Sequence, residues 1–274
     1  MEKTVTQIHP PKGFSLGLKE LWQYRELFYF FTWRDIKVKY KQTVLGILWA
    51  ILQPLALMAI FTFLFSKTWP IDTGNIRYPI FVLSGLIIWN LFSNAVSHAG
   101  ESMIHHAAII KKIYFPRLII PGSSVLTAFF DFIMGLIVFI IFCFIYKQGS
   151  HVSGAIFFLA GIVIILLAAF GAGTFLAALN VKYRDFRYTV PVLLQLLFFS
   201  SQVIYPLHSI GQPWLRNLLS LNPVNAALEL FRAPLSGAQP DNNIVLIGLA
   251  STITILMAGI YFFRKTEAYF ADIA

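Results

Sequence analysis

A chain of 274 residues that is 58% hydrophobic and only 12% charged, with a formal net charge of +9, has about half the charge density of an ordinary soluble domain, roughly 25%. Too little polar surface remains to face water, which excludes a soluble globular fold and calls for a bilayer. Its 21 Lys and Arg residues fall in short clusters between long apolar runs, a pattern of membrane orientation that argues against a nucleic-acid partner.

Residues 1–41 mix charges and aromatics. They lack the 7–15-residue apolar core and small-residue cleavage site of a secretory signal, so a retained, non-translocated N-terminus is expected. Leu18, Leu21, Trp22, Phe28 and Phe31 recur at helical spacing among Lys19, Glu20, Arg25 and Glu26. This is the pattern of a helix lying in the interface plane with snorkelling cations. "IKVKYK" then alternates with period two and leaves its secondary structure open. Two roles fit: an orientation anchor, or a gate helix whose cations Arg34, Lys37, Lys39 and Lys41 meet an anionic substrate.

Crossing the hydrocarbon core takes roughly 20 mostly apolar residues. Six intervals qualify: 42–66, 78–100, 118–146 (interrupted only by Asp131), 148–181, 188–215 and 242–263. Between the second and third, residues 101–117 have helix formers for three turns ended by Pro116. Ile104, Ile109, Ile110 and Ile113 there face water unless the membrane surface or a docked protein covers them. Asp131 is the carboxylate deep in a span, where burying its charge costs at least about 2.5–3.5 kcal/mol. It serves either in structural pairing or a protonated hydrogen-bonding role, or in substrate or ion contact. Cys143 is the single cysteine, so no intrachain disulfide is possible.

In the fourth interval Ala168, Gly171, Ala172 and Ala178 permit close helix approach, within the subunit or at a dimer seam. Residues 207–241 are apolar but broken by Pro223, and the 15 residues between Arg216 and Arg232 are short for a crossing. A re-entrant or interfacial helical hairpin is expected. Sixteen Lys and Arg flank one side (the N-terminus through Lys41, residues 101–117, 182–187 and the tail), against five on the other, namely Lys67, Arg77, Lys147, Arg216 and Arg232. Both termini are therefore expected in the cytoplasm. The expected fold is all-α and polytopic, with a cytoplasmic N-terminus over 1–41, a six-helix domain over 42–264 and a cytoplasmic tail over 265–274.

No catalytic or metal-binding set emerges. H-E-x-x-H and G-x-S-x-G are absent, and the adjacent His105 and His106 point in different directions on a helix. No glycine precedes a lysine, so the Gly-Lys-Ser/Thr end of a P-loop cannot form and any ATPase must be a separate chain. The aromatics Phe61, Phe63, Phe65, Trp89, Phe92, Phe198, Phe199, Tyr205 and Trp214 either form interface belts and lipid-facing bulk or line a sugar-compatible path.

Four stretches together, "WRDIKVKYKQTVLGILWAILQPL" (33–55), "IKKIYFPRLIIP" (110–121), "NVKYRDFRYTVPVLLQLLFFSSQVIYP" (180–206) and "NPVNAALELFRAPLSG" (222–237), resemble the permease subunits of bacterial polysaccharide exporters of the ABC type 2 class. The resemblance implies a homodimer in the bacterial inner (plasma) membrane, joined by two P-loop ATP-binding cassette subunits that bind ATP and Mg²⁺, with no cofactor on this chain. It implies export of a lipid-linked polysaccharide, O-antigen first, with teichoic acid or capsule as alternatives; an ion-coupled carrier is the reading from another class. Residues 101–117 become a coupling helix, with Ile104, Ile109, Ile110, Lys111, Lys112 and Ile113 toward the ATPase. The N-terminal helix becomes a gate, residues 207–241 become re-entrant helices, and Phe61, Phe65, Phe198, Phe199 and Tyr205 become path aromatics. Where the family often reads "SPVIYP", this chain has Ser201-Gln202, which puts the local kink in question.

Overall fold

A computed structural model describes residues 18–41, 46–67, 71–151, 154–183 and 185–267. Residues 1–17 of the N-terminal segment, 42–45 at the start of the first interval, Ser153 and residues 268–274 of the tail lie outside them. The described residues form α1 (Leu18–Gln23), α2 (Arg25–Lys41), α3 (Gly46–Lys67), α4 (Tyr78–His105), α5 (Ala107–Ile110), α6 (Ile119–Ile145), α7 (Ala155–Lys182), α8 (Phe186–Phe199), α9 (Pro213–Ser220), α10 (Pro223–Ser236) and α11 (Asn242–Thr266). The protein is all-α among these residues. The stretch "IKVKYK" is helical: its alternation arises from cations on a helix, not from a strand.

Five helices, α3, α4, α6, α7 and α11, are long and apolar enough to cross a membrane, and the protein is a multi-pass membrane protein. The interval 188–215 behaves differently. Its main helix, α8, ends at Phe199 and is about 21 Å long at 1.5 Å per residue, against a core of roughly 30 Å. A turn begins at Ser200 and the chain continues without α-helix to Gln212. This composite nevertheless runs the length of α4. Arg187 pairs with Glu101 at one end, Phe198 lies edge-on to Trp89 in the middle, and the Ile204 carbonyl accepts from the Tyr78 hydroxyl at the other end.

The helix α4 is central, with Ile80, Leu83, Leu86, Ile88, Leu91 and Met103 fully buried. Around it the chain alternates in direction between two ends. At one end Phe31, Met103, Ile110, Phe115, Leu118 and Phe263 share a cluster. At the other, the Gln148 amide donates to the carbonyls of Asn75 and Leu235. The small residues of α7 are used within the subunit. Ala168 and Ala178 are fully buried, and a Cβ added at Gly259 of α11 would stand 2.1 Å from the Gly171 carbonyl oxygen.

Residues 207–241 do hold a pair of helices. Pro213 and Pro223 open α9 and α10 where no intrahelical donor is needed, and the Asn222 side chain caps α10 by accepting from the Val224 N–H at 3.1 Å. Gly237 closes α10 in the left-handed conformation at φ 66°. α10 is buried rather than superficial, with Phe231 packed against Phe158 and Phe139.

Candidate functional site

The four cations in the second half of α2, Arg34, Lys37, Lys39 and Lys41, differ in where they point. Arg34 and Lys39 turn toward the bundle. Arg34 bonds Asp35 and donates to Nε2 of His106, while Lys39 donates to Asp131 Oδ2 at 2.5 Å. Tyr40 donates to the other oxygen of the same carboxylate. Burial, then the hydrogen bond to Asp131, holds the Tyr40 phenol far above its ordinary value, so it remains a donor. Asp131 is thus paired by α2. Lys37 and Lys41 face an outer groove that they line with Phe30, Trp33 and the flank of Arg34, and the Lys37 ammonium lies 5.1 Å from the Trp33 ring. The opposite face of α2 docks: Phe31 is buried and the Phe28 ring lies over Gly122. Trp22, expected on the apolar face, is 70% exposed.

Beneath the Lys39–Asp131 pair, between α3, α4 and α6, is a cavity of about 460 Å³. Its polar wall is Lys39, Tyr40, Gln53, Asn90, Asn94 and Asp131. Asn90 and Asn94, four apart, share one face of α4 near its midpoint, and Asp131 is at mid-length of α6. Pro54 also lines the cavity; it has no N–H to give to the Ala50 carbonyl one turn earlier, and Ala50 lines the cavity too. The amides escape a reading of the spans by Asp, Glu, Lys and Arg, because Asn and Gln carry no charge. The signal was present as "WNLFSN" (89–94), two amides at helical spacing in an uncharged span.

The segment 101–117 departs from the expected three-turn helix. α4 continues to His105, His106 breaks the run at φ −104°, ψ 10°, and α5 ends at Ile110, well before Pro116. A buried His106 is the cause: its Nδ1 bonds the Ser102 carbonyl at 2.7 Å while Phe31 packs edge-on against the ring. The isoleucines also split. Ile110 is buried by the protein's own cluster and Ile109 packs against it, whereas Ile104 and Ile113 are exposed, Ile113 at 62%. Lys111 and Lys112 are exposed beside Ile113.

The expected path aromatics are not gathered in the cavity. Phe61 and Phe65 lie ring to ring at a tilt along α3 toward Tyr78, and Phe198 packs on Trp89. Tyr205 bonds the Phe199 carbonyl at 2.8 Å, and Phe199 is exposed.

Arg232, counted above as a flanking cation, is buried at 5% exposure. It donates to Ser84 Oγ at 2.9 Å and to the carbonyls of Gln202 and Phe81 at 2.8 Å each, with its guanidinium 3.5 Å over the Phe81 ring. Gly85 admits this approach, since a Cβ there would stand 2.7 Å from the Val203 carbonyl oxygen. The turn after α8 is kept without the family's proline. The Gln202 N–H, which proline lacks, donates to Asn225 Oδ1 at 2.7 Å, and its side-chain amide donates to the Asn225 carbonyl.

A polytopic helical bundle whose polar residues converge on a mid-height cavity defines a membrane transport subunit. Residues 26–235 match the ABC-2 type transporter family, and the chain belongs to that family. It is 29% identical to the O-antigen export system permease protein RfbA of Myxococcus xanthus, covering 93% of this chain and 98% of that protein. To the Klebsiella pneumoniae protein of the same name it is 27% identical, over 88% and 92%. To the polysialic acid transport protein KpsM of Escherichia coli it is 26% identical, over 85% and 91%.

Proposed function

We propose that this chain is the permease of an ATP-driven exporter that moves a lipid-linked polysaccharide, O-antigen in the first instance, out across the plasma membrane. The observation that carries this reading is the likeness to an O-antigen export permease over 98% of that protein's length, which takes in α2, the cavity and the α9–α10 pair alike. ATP and Mg²⁺ bind two separate cassette subunits, two copies of this chain form the membrane unit, and both termini are cytoplasmic.

The exposed Ile104, Ile113, Lys111 and Lys112 form the docking face for the cassette subunit. Movement there reaches α2 through His106 and Arg34, and α2 carries Lys39 and Tyr40 over the cavity. The exposed faces of α3 and α8 meet a second copy and open with it. Lys37 and Lys41 attract the anionic diphosphate of the lipid carrier; each basic residue near an anionic surface contributes about 1 kcal/mol.

Deleting this chain should abolish surface O-antigen, and the intact chain should copurify with a P-loop ATPase, whereas Ile113→Glu should lose the ATPase while reaching the membrane in normal amount. Gradient-driven transport by the isolated chain would overturn the reading. The polysialic acid relatives favour capsule as the second reading, and chemical analysis of the surface glycan lost on deletion separates the two.

A further inference from the structure

We propose that the cavity between α3, α4 and α6 is a saccharide subsite, holding one sugar ring of the polymer through the amides of Gln53, Asn90 and Asn94. This rests on the export reading and adds to it which part of the substrate is held, and where. Among the described residues, these three side chains make no hydrogen bond, and the Ala50 carbonyl loses its helical donor to Pro54. Asn90 and Asn94, half-buried near the middle of α4, are costly there unless water or a ligand completes them, and Gln53 stands exposed on the facing helix.

Charge decides against the diphosphate as the occupant. Among the described residues the one ammonium on the cavity wall, Lys39, is on Asp131, and Tyr40 donates to the second carboxylate oxygen, so none of them brings a surplus cation inward. A lipid chain would leave the amides unanswered. A sugar answers them, because each hydroxyl both donates and accepts and each amide does the same. Its apolar ring face suits the remaining wall, where Phe132 is buried and Trp49 stands 61% exposed at the rim. The volume, about 460 Å³, falls within the roughly 300–1,000 Å³ of small-ligand sites.

The test uses the full chain with its ATPase in the native host. A diazirine amino acid at position 94 should yield, on illumination, a glycan-positive adduct of this chain, while the same group at lipid-exposed position 144 yields none. Asn90→Leu with Asn94→Leu should cut surface polysaccharide at least tenfold at unchanged membrane abundance, and Asn90→Ser with Asn94→Ser should restore most of it. If deletion of the chain leaves the polysaccharide intact, the export reading fails and the subsite with it. If deletion abolishes export but position 94 gives no adduct, the subsite alone is wrong. Should the leucine pair fail to assemble, the adduct at position 94 still decides.

Discussion

Arg34 on α2 donates its guanidinium to Nε2 of His106, 72 positions further along the chain, and this contact fixes the state of the imidazole. A guanidinium has only donors, so Nε2 must accept and the proton rests on Nδ1, facing the Ser102 carbonyl. Burial first, and Arg34 after it, press the His106 pKa below its ordinary value, against the pull of Ser102 and Asp35. The unfolded chain therefore takes up the proton first. The stabilisation is complete above about pH 6.5 and is lost as pH falls from there through the lowered value. Melting of the detergent-solubilised protein should shift down on acidification across this window, and His106→Gln should flatten the dependence.

Lys39 and Asp131 should behave as a coupled pair. Asp131→Ala leaves the ammonium without its carboxylate, and Lys39→Ala does the converse, so each should destabilise more than Lys39→Met with Asp131→Leu together. A double-mutant cycle of thermal unfolding should return a coupling of about 0.5–3 kcal/mol.

Replacing Arg232 by Met removes the donor from the Gln202 carbonyl, while the Phe81 carbonyl keeps the Ser84 hydroxyl, and should cost about 1–3 kcal/mol. Arg232→Lys should recover less than half of that, because an ammonium cannot span Ser84, Phe81 and Gln202 as the planar fork does. Thermal unfolding of the three proteins side by side checks both statements.

Gly259→Leu should separate α7 from α11 at a cost of at least about 1–3 kcal/mol, since even a Cβ collides with the Gly171 carbonyl. Gly149→Ala meets nothing within 4 Å and should leave the melting temperature unchanged.

Two pairs of α2 cations should part company under charge reversal. Lys37→Glu with Lys41→Glu should lower surface polysaccharide while the protein melts normally. Arg34→Glu with Lys39→Glu should lower the melting temperature itself, because those two hold α2 to His106 and Asp131.

Apolar length and charge clusters made the membrane class and five of the spans legible, because the cost of leaving a helix end or a charge in hydrocarbon is written directly into composition. The fate of single polar residues was not. Arg232 reads as a flanking cation like Arg216, yet it is a buried hydrogen-bond hub, a difference set by partners 30 to 151 residues away. The end of α8 was hidden because "SSQVIY" is uncharged, and its unwinding depends on Asn225 and Arg232 capturing backbone groups that a helix would otherwise pair internally. The cavity stayed hidden for a related reason: amides count as neutral in any charge tally.

The grip of Arg232 and Asn225 on the turn after Phe199 makes that turn a fulcrum. α8 hangs from it as a lever about 21 Å long, held at its far tip by the half-exposed Arg187–Glu101 pair at 3.3 Å. Swinging such a lever through about ten degrees carries Phe186 roughly 4 Å sideways while the upper end barely stirs. A modest push beside Glu101 is thus magnified at the Phe186 end of α8, while the end gripped by Arg232 and Asn225 stays in place.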